Sequence, residues 1–183
     1  MVIVGIMPGN TLEEKAREYA TEKHKGVLRH DNKTPYIAHP AFIAKALKDL
    51  GVSDEKTLAV AWLHDVVEDT GTKLEEIEKE FGAKVACGVN FLTHYENANR
   101  NRYVRKIMDS APEEIQLIKL CDVWHNILTM PDIVDKEKRE KGWKDKLGEC
   151  EDNWLPLALK ISPVMYQRIV SAIGAYSRAK LAK

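Results

Sequence analysis

No two cysteines form a CxxC pair in this chain. The three present, Cys87, Cys121 and Cys150, lie far apart and are odd in number. That argues against a zinc ribbon or a disulfide framework and leaves reduced, mostly buried thiols as the expectation. Net charge is missing as well: 28 Lys and Arg balance 28 Asp and Glu. Without a basic excess a nucleic-acid surface is not expected, although a local basic pocket for one small anion fits the composition. No segment has the length of a membrane span, and the apolar N-terminal run Val2 to Met7 lacks the length and basic flank of a signal peptide. The protein is therefore expected in the cytoplasm and off the membrane, with residues 1–10 as a tucked-in tail or a subunit contact. Neither sustained period-two alternation nor an internal repeat is visible, which speaks against a β-rich or solenoid architecture.

What is present reads as helices separated by short breaks, an all-α fold forming a single domain over residues 11–183. Apolar residues at 44% and charged residues at 31% give an ordinary globular balance. Thr11 and Glu14 form a capping box at the start of a helix running to about Lys25. A second helix spans about Pro40 to Leu50. A third is capped by Ser53 and continues through Val67 to Thr70-Gly71. Thr72 caps the next, Gly82 breaks it, and Ala83 to Leu92 continue. A basic helix is predicted over Asn97 to Met108, and a long one from Pro112 towards Met130. The stretch Lys136 to Lys146 reads as a solvated connector or exposed helix. Amphipathic helices over Trp143 to Ile161 and Pro163 to Leu181 complete the chain.

The chemistry concentrates where a strongly apolar helix, Ala59 to Leu63, abruptly presents His64, Asp65, Glu68 and Asp69. An unpaired buried carboxylate costs on the order of several kcal/mol, so such groups need a cation or hydrogen-bond donors. Glu68 follows His64 by four residues and Asp69 follows Asp65 by four, one turn further along the same flank. His39 stands just before Pro40 at a loop-to-helix junction. Asp122 interrupts a second buried stripe, Ile118 to Cys121. Taken singly, each has a plainer explanation: a satisfied core histidine, a solvated helix end, or, for Asp122, pairing with Lys119. The set His39, His64, Asp65 and Asp122 supplies a mixed nitrogen and oxygen shell, suited to Mn²⁺ ahead of Fe²⁺ or Mg²⁺. Zinc more usually comes with thiolates or three strong ligands. His24, His94 and His125 are expected in packing or surface roles, with His125 the first exception to look for because it lies near Asp122.

Three motifs carry a resemblance: Arg29 with Thr34 to Pro40, Leu63 to Thr70, and Ile118 to Ile127. They resemble the HD-type hydrolase domain of the RelA/SpoT alarmone enzymes and the stand-alone small alarmone hydrolases. The resemblance implies a helical HD domain that removes pyrophosphate from the 3′ position of guanosine tetra- or pentaphosphate with Mn²⁺, its ligands His39, His64, Asp65 and Asp122. It further implies that Glu68 and Asp69 position and activate water and handle the leaving group's proton, and that Arg29, Asn126 and Thr129 contact the nucleotide. His30, Val123 and Leu128 depart from the family pattern, where basic residues are usual. With no synthetase domain in the sequence, the expected activity is hydrolytic only. Two alternatives stay open: an HD phosphohydrolase of another nucleotide or phosphoester, and a nucleotide-binding regulator with a structural metal. The apolar N-terminus and exposed aromatics, expected at positions such as Trp143, are compatible with a homodimer.

Overall fold

Thr11 opens the first helix as its capping box requires. The Thr11 hydroxyl accepts the Glu14 N–H (3.2 Å) and the Glu14 carboxylate accepts the Thr11 N–H (2.9 Å), satisfying two amides the helix leaves without partners. The computed structural model describes residues 11–181, so the expected tail over residues 1–10 lies outside the described residues. Helices follow in the order α1 (Leu12–Lys23), α2 (Ala38–Asp49), α3 (Glu55–Leu63), α4 (Val66–Thr70), α5 (Leu74–Phe81), α6 (Ala83–Leu92), α7 (Arg100–Ser110), α8 (Glu113–Leu128), α9 (Lys136–Glu149), α10 (Leu155–Ile161) and α11 (Pro163–Leu181). A short 3₁₀ turn covers Met130–Asp132. Among the described residues there is no strand, only an isolated antiparallel bridge between Leu28 and Pro35. The all-α expectation holds.

The apolar run from Leu58 to Leu63 makes α3 the buried axis of the molecule, with α1, α2, α6 and α8 packed around it. A helix apolar on every side has nowhere to go but the interior. The long α8 is buried along much of its length, and α11 covers its outer side. At Gly88 on α6 the packing against α3 and α8 is tight: an added Cβ would meet Val60 Cγ2 at 2.7 Å and Ile115 Cδ1 at 2.9 Å. Gly88→Ala is therefore expected to destabilise the fold by about 1–3 kcal/mol through overpacking. A thermal melt should show Tm falling by roughly 2–4 °C per kcal/mol.

Several boundaries differ from the sequence reading, each for a local reason. Asp54, not Ser53, caps α3: its carboxylate accepts both the Thr57 N–H and the Thr57 hydroxyl at 2.8 Å. Thr72 does not cap α5, because its hydroxyl is engaged with that of Thr70 (2.8 Å), and Glu76 instead accepts the Lys73 N–H (2.9 Å). The single helix expected between Ser53 and Gly71 is two, interrupted at His64-Asp65 and closed by Gly71 in the left-handed conformation (φ 71°). The helix expected over Trp143 to Ile161 is the end of α9, a wide π turn over Cys150–Trp154, and then α10. Pro156 explains the reset, having no N–H to offer the carbonyl four residues back. Of the three unpaired cysteines, Cys121 and Cys150 are buried as expected, whereas Cys87 is exposed. No described helix is long and apolar enough to cross a membrane.

Candidate metal centre and adjoining cavities

His39 lies inside the first turn of α2, which starts at Ala38, two residues earlier than the start expected at Pro40. Pro40 is tolerated there because first-turn amides lack helical partners. His64 and Asp65 occupy the interruption between α3 and α4. The His64 Nε2 lies 3.2 Å from His39 Nε2 and 3.0 Å from Asp65 Oδ2, and His39 Nε2 is 3.3 Å from that same oxygen. These three atoms point at one place and form a group able to hold a metal ion. Asp122, from α8, brings Oδ1 to 3.3 Å from His39 Nε2, beside the compact trio.

Neighbouring groups fix this arrangement. His64 Nδ1 donates to the Ala61 carbonyl (2.8 Å), which turns Nε2 toward the cluster. Tyr36 donates its hydroxyl to Asp65 Oδ2 (2.7 Å), and its ring stacks on buried His24 (4.5 Å). Asp122 is held by the buried Lys119 ammonium (2.7 Å) and by the Asn126 side-chain amide, so the pairing with Lys119 considered for it exists alongside its approach to His39. His125 is not a packing residue alone: its Nδ1 sits 2.7 Å from His39 Nδ1.

Burial by itself would raise the carboxyls of Asp65 and Asp122. The imidazoles beside Asp65, and Lys119 with the two imidazoles beside Asp122, overcome it and hold both well below the usual carboxylate range. Burial also opposes charge on His64, but Asp65 and Asp122 outweigh it and lift that imidazole to about 9. The place where the four side chains meet thus favours positive charge. His125 goes the other way: burial, then His39 and Arg29, push it down to about 3 and keep it neutral.

Glu68 and Asp69 on α4 border the same polar cavity, of about 260 Å³, as His39, His64, Asp65 and Asp122. Glu68 accepts the His94 backbone N–H (2.8 Å). Partial burial raises its carboxyl above the ordinary value, and the Asp65 charge adds to that. Arg29, Arg100, Lys119 and Lys146 line this cavity too. Arg100 is clamped by Glu149 through two bonds of 2.7 and 2.8 Å. A second cavity, of about 120 Å³, adjoins the first across Arg29, His30, Asn126 and Lys146 and is lined further by Thr129, Met130, Ile133 and His125. On the shared wall Arg29 donates to Asn126 Oδ1 (3.3 Å) and Thr129 Oγ1 (3.1 Å), so these three expected substrate residues form one hydrogen-bonded group.

His125, expected as the first exception to a packing role, and Lys119, considered as the partner of Asp122, both lie at the site. Sequence reasoning missed Tyr36, Arg100 and Lys146 as neighbours of the site: Tyr36 lay inside a motif without a role, and Arg100 lay in the helix noted only as basic. The reading of Lys136 to Lys146 as a solvated connector or exposed helix holds, for α9 is largely exposed, and it also brings Lys146 to the rim of both cavities. Trp143, expected to be exposed, is instead buried against Tyr176 (ring centroids 4.0 Å apart). Of the three departures, only His30 lines them. Val123 borders a small neighbouring space, and Leu128 lies in an outer groove with Trp124.

The HD domain family matches residues 16–160. Guanosine-3′,5′-bis(diphosphate) 3′-pyrophosphohydrolase MESH1 of Xenopus tropicalis is 36% identical over 151 residues, covering 80% of this chain and 82% of that protein. The guanosine-3′,5′-bis(diphosphate) 3′-pyrophosphohydrolase of Aquifex aeolicus is 34% identical over 154 residues, covering 81% of this chain but only 21% of that longer protein. A solved structure, described as a metazoan ortholog of SpoT that hydrolyzes ppGpp, superposes with a TM-score of 0.76 over 93% of this chain and 98% of its own. At 22% identity it shows the shared fold.

Proposed function

The chain belongs to the HD-domain family, and from that premise we propose that it is a Mn²⁺-dependent hydrolase that removes pyrophosphate from the 3′ position of guanosine tetra- or pentaphosphate. One observation carries the reading. The convergent His39, His64 and Asp65 atoms, with Asp122 beside them, share a cavity with four cationic side chains. A donor set of two imidazoles and two carboxylates, opening onto a cavity, fits an octahedral ion with exchangeable positions, and the relatives named above act on a guanosine polyphosphate.

When bound, such an ion supplies Lewis-acid polarisation of a phosphoryl oxygen and makes water more acidic. The chain's own residues do the rest. Glu68, fixed by the His94 N–H, takes the proton of the attacking water, and Asp69 serves the leaving oxygen. Arg100 and Lys146 balance charge on the phosphate oxygens, as phosphoryl transfer requires. Lys119 is committed to Asp122 and acts through that carboxylate. Arg29, Asn126 and Thr129 hold the nucleoside at the wall between the cavities, and Tyr36 aims Asp65.

Incubation of the purified protein with guanosine tetraphosphate and Mn²⁺ is expected to yield GDP and pyrophosphate, read by anion-exchange chromatography. Turnover of an adenosine analogue or a simple monophosphate in place of the guanosine compound would overturn the substrate and keep the reaction class. One observation favours that second reading: His30, which replaces the family's usual lysine, faces both cavities. A regulator with a structural metal would have no use for Glu68 and Asp69 at the cavity's edge.

A further inference from the structure

Two imidazoles meet nitrogen to nitrogen in the interior, His39 Nδ1 to His125 Nδ1 at 2.7 Å. At that distance two lone pairs repel and two hydrogens collide, so one proton is shared between them. Its owner follows from the other edge of His39. There Nε2 faces His64 Nε2 at 3.2 Å and the Asp65 and Asp122 oxygens at 3.3 Å, and an imidazole can bind a cation only through a lone pair. The proton therefore belongs on His39 Nδ1, and His125 is the acceptor.

We propose that His125 is a positioning residue that fixes the tautomer and ring plane of His39, so that His39 Nε2 presents its lone pair to the metal. The proposal rests on the metal reading above. For His64 the same task falls to a backbone carbonyl, that of Ala61. For His39 the corresponding carbonyl, that of Tyr36, accepts the His39 backbone N–H (2.9 Å), and the ring meets an imidazole from α8 instead. The partner is held in turn. His125 packs against Phe42 (ring centroids 4.2 Å apart) and against His39 itself (4.9 Å), so neither ring turns without the others. His125 also lines the second cavity, which places one side chain in contact with both the cluster and the neighbouring space.

His125→Phe keeps the ring and removes the acceptor, and it is expected to weaken Mn²⁺ binding by about 10–100-fold, measured by chelator competition on the full chain without nucleotide. His125→Asn, whose Oδ1 falls near the lost nitrogen, is expected to restore most of that affinity. An unchanged dissociation constant in the Phe variant would overturn the proposal. So would an Asn variant as weak as the Phe one, since ring volume rather than the acceptor would then matter. Nitrogen NMR of the unmutated protein with Mg²⁺ gives a test that needs no variant to fold: His39 must carry its proton on Nδ1 and His125 on Nε2, and the reverse assignment overturns the idea. Wild-type protein that takes up no divalent cation would instead overturn the ligand assignment on which the proposal rests.

Discussion

Glu68→Gln is expected to lower kcat on guanosine tetraphosphate by roughly 10²–10⁴-fold, the range for loss of a positioned general base, while Mn²⁺ binds as in the wild type. Gln matches Glu in size, and its carbonyl oxygen can still accept the His94 N–H that holds the native carboxylate. What disappears is the capacity to take a proton. Metal affinity is expected to persist because Glu68 stands apart from the cluster of His39, His64 and Asp65. Steady-state kinetics beside a metal titration separates the two effects. A variant that turns over at the wild-type rate would move the role to Asp69, and one that loses the ion would make Glu68 a ligand.

Asp122→Ala is expected to lose both the activity and much of the stability. Lys119 is 9% exposed and its ammonium sits 2.7 Å from Asp122 Oδ2. Burial alone would lower its pKa, and the Asp122 charge instead raises it. Removing the carboxylate takes away the anion paired with this buried cation and leaves the Tyr103 and Trp154 rings 5.5 and 5.7 Å away. Breaking a buried pair from one side costs about 3–5 kcal/mol, which at roughly 2–4 °C per kcal/mol lowers Tm by some 6–20 °C. Replacing both members, Lys119→Met with Asp122→Leu, is expected to recover much of the Tm, since buried pairs exchanged for apolar residues are often neutral or better. Activity should stay lost. A double variant that recovers turnover would remove Asp122 from the metal site.

Of the four proposed ligands, His64, Asp65 and Asp122 were legible as polar residues intruding on apolar helical stripes, where burial forces the question of what neutralises them, and His39 by its place beside Pro40 at a helix start. The helix start at Thr11 was legible from its capping box, whereas the caps expected at Ser53 and Thr72 fall one residue later, at Asp54 and Lys73. The interruption at His64-Asp65 was not legible, because no Gly or Pro marks it; the Ala61 carbonyl accepts from the His64 ring, a use that only a folded cluster reveals. Nor could the sequence place Arg100 and Lys146. Both sit in polar stretches that look solvated, and their approach to the cavity depends on how α7 and α9 lie, tied by the Arg100–Glu149 pair across 49 residues. The His39–His125 contact spans 86 residues, too far for spacing to signal.

The main cavity is divided in sign, with Asp65, Glu68, Asp69 and Asp122 set against Arg29, Arg100 and Lys146. A polyphosphate entering it alone meets repulsion from the acids. A divalent cation among them offsets half of that negative charge and gives the phosphate oxygens an ion to bind. Ion and nucleotide are then thermodynamically linked, and linkage runs both ways: whatever factor the ion adds to the nucleotide's affinity, the nucleotide adds to the ion's. The metal dissociation constant of the free protein is therefore an upper bound on the one that operates during turnover, and a cell poor in the metal would still load the enzyme whenever its substrate accumulates.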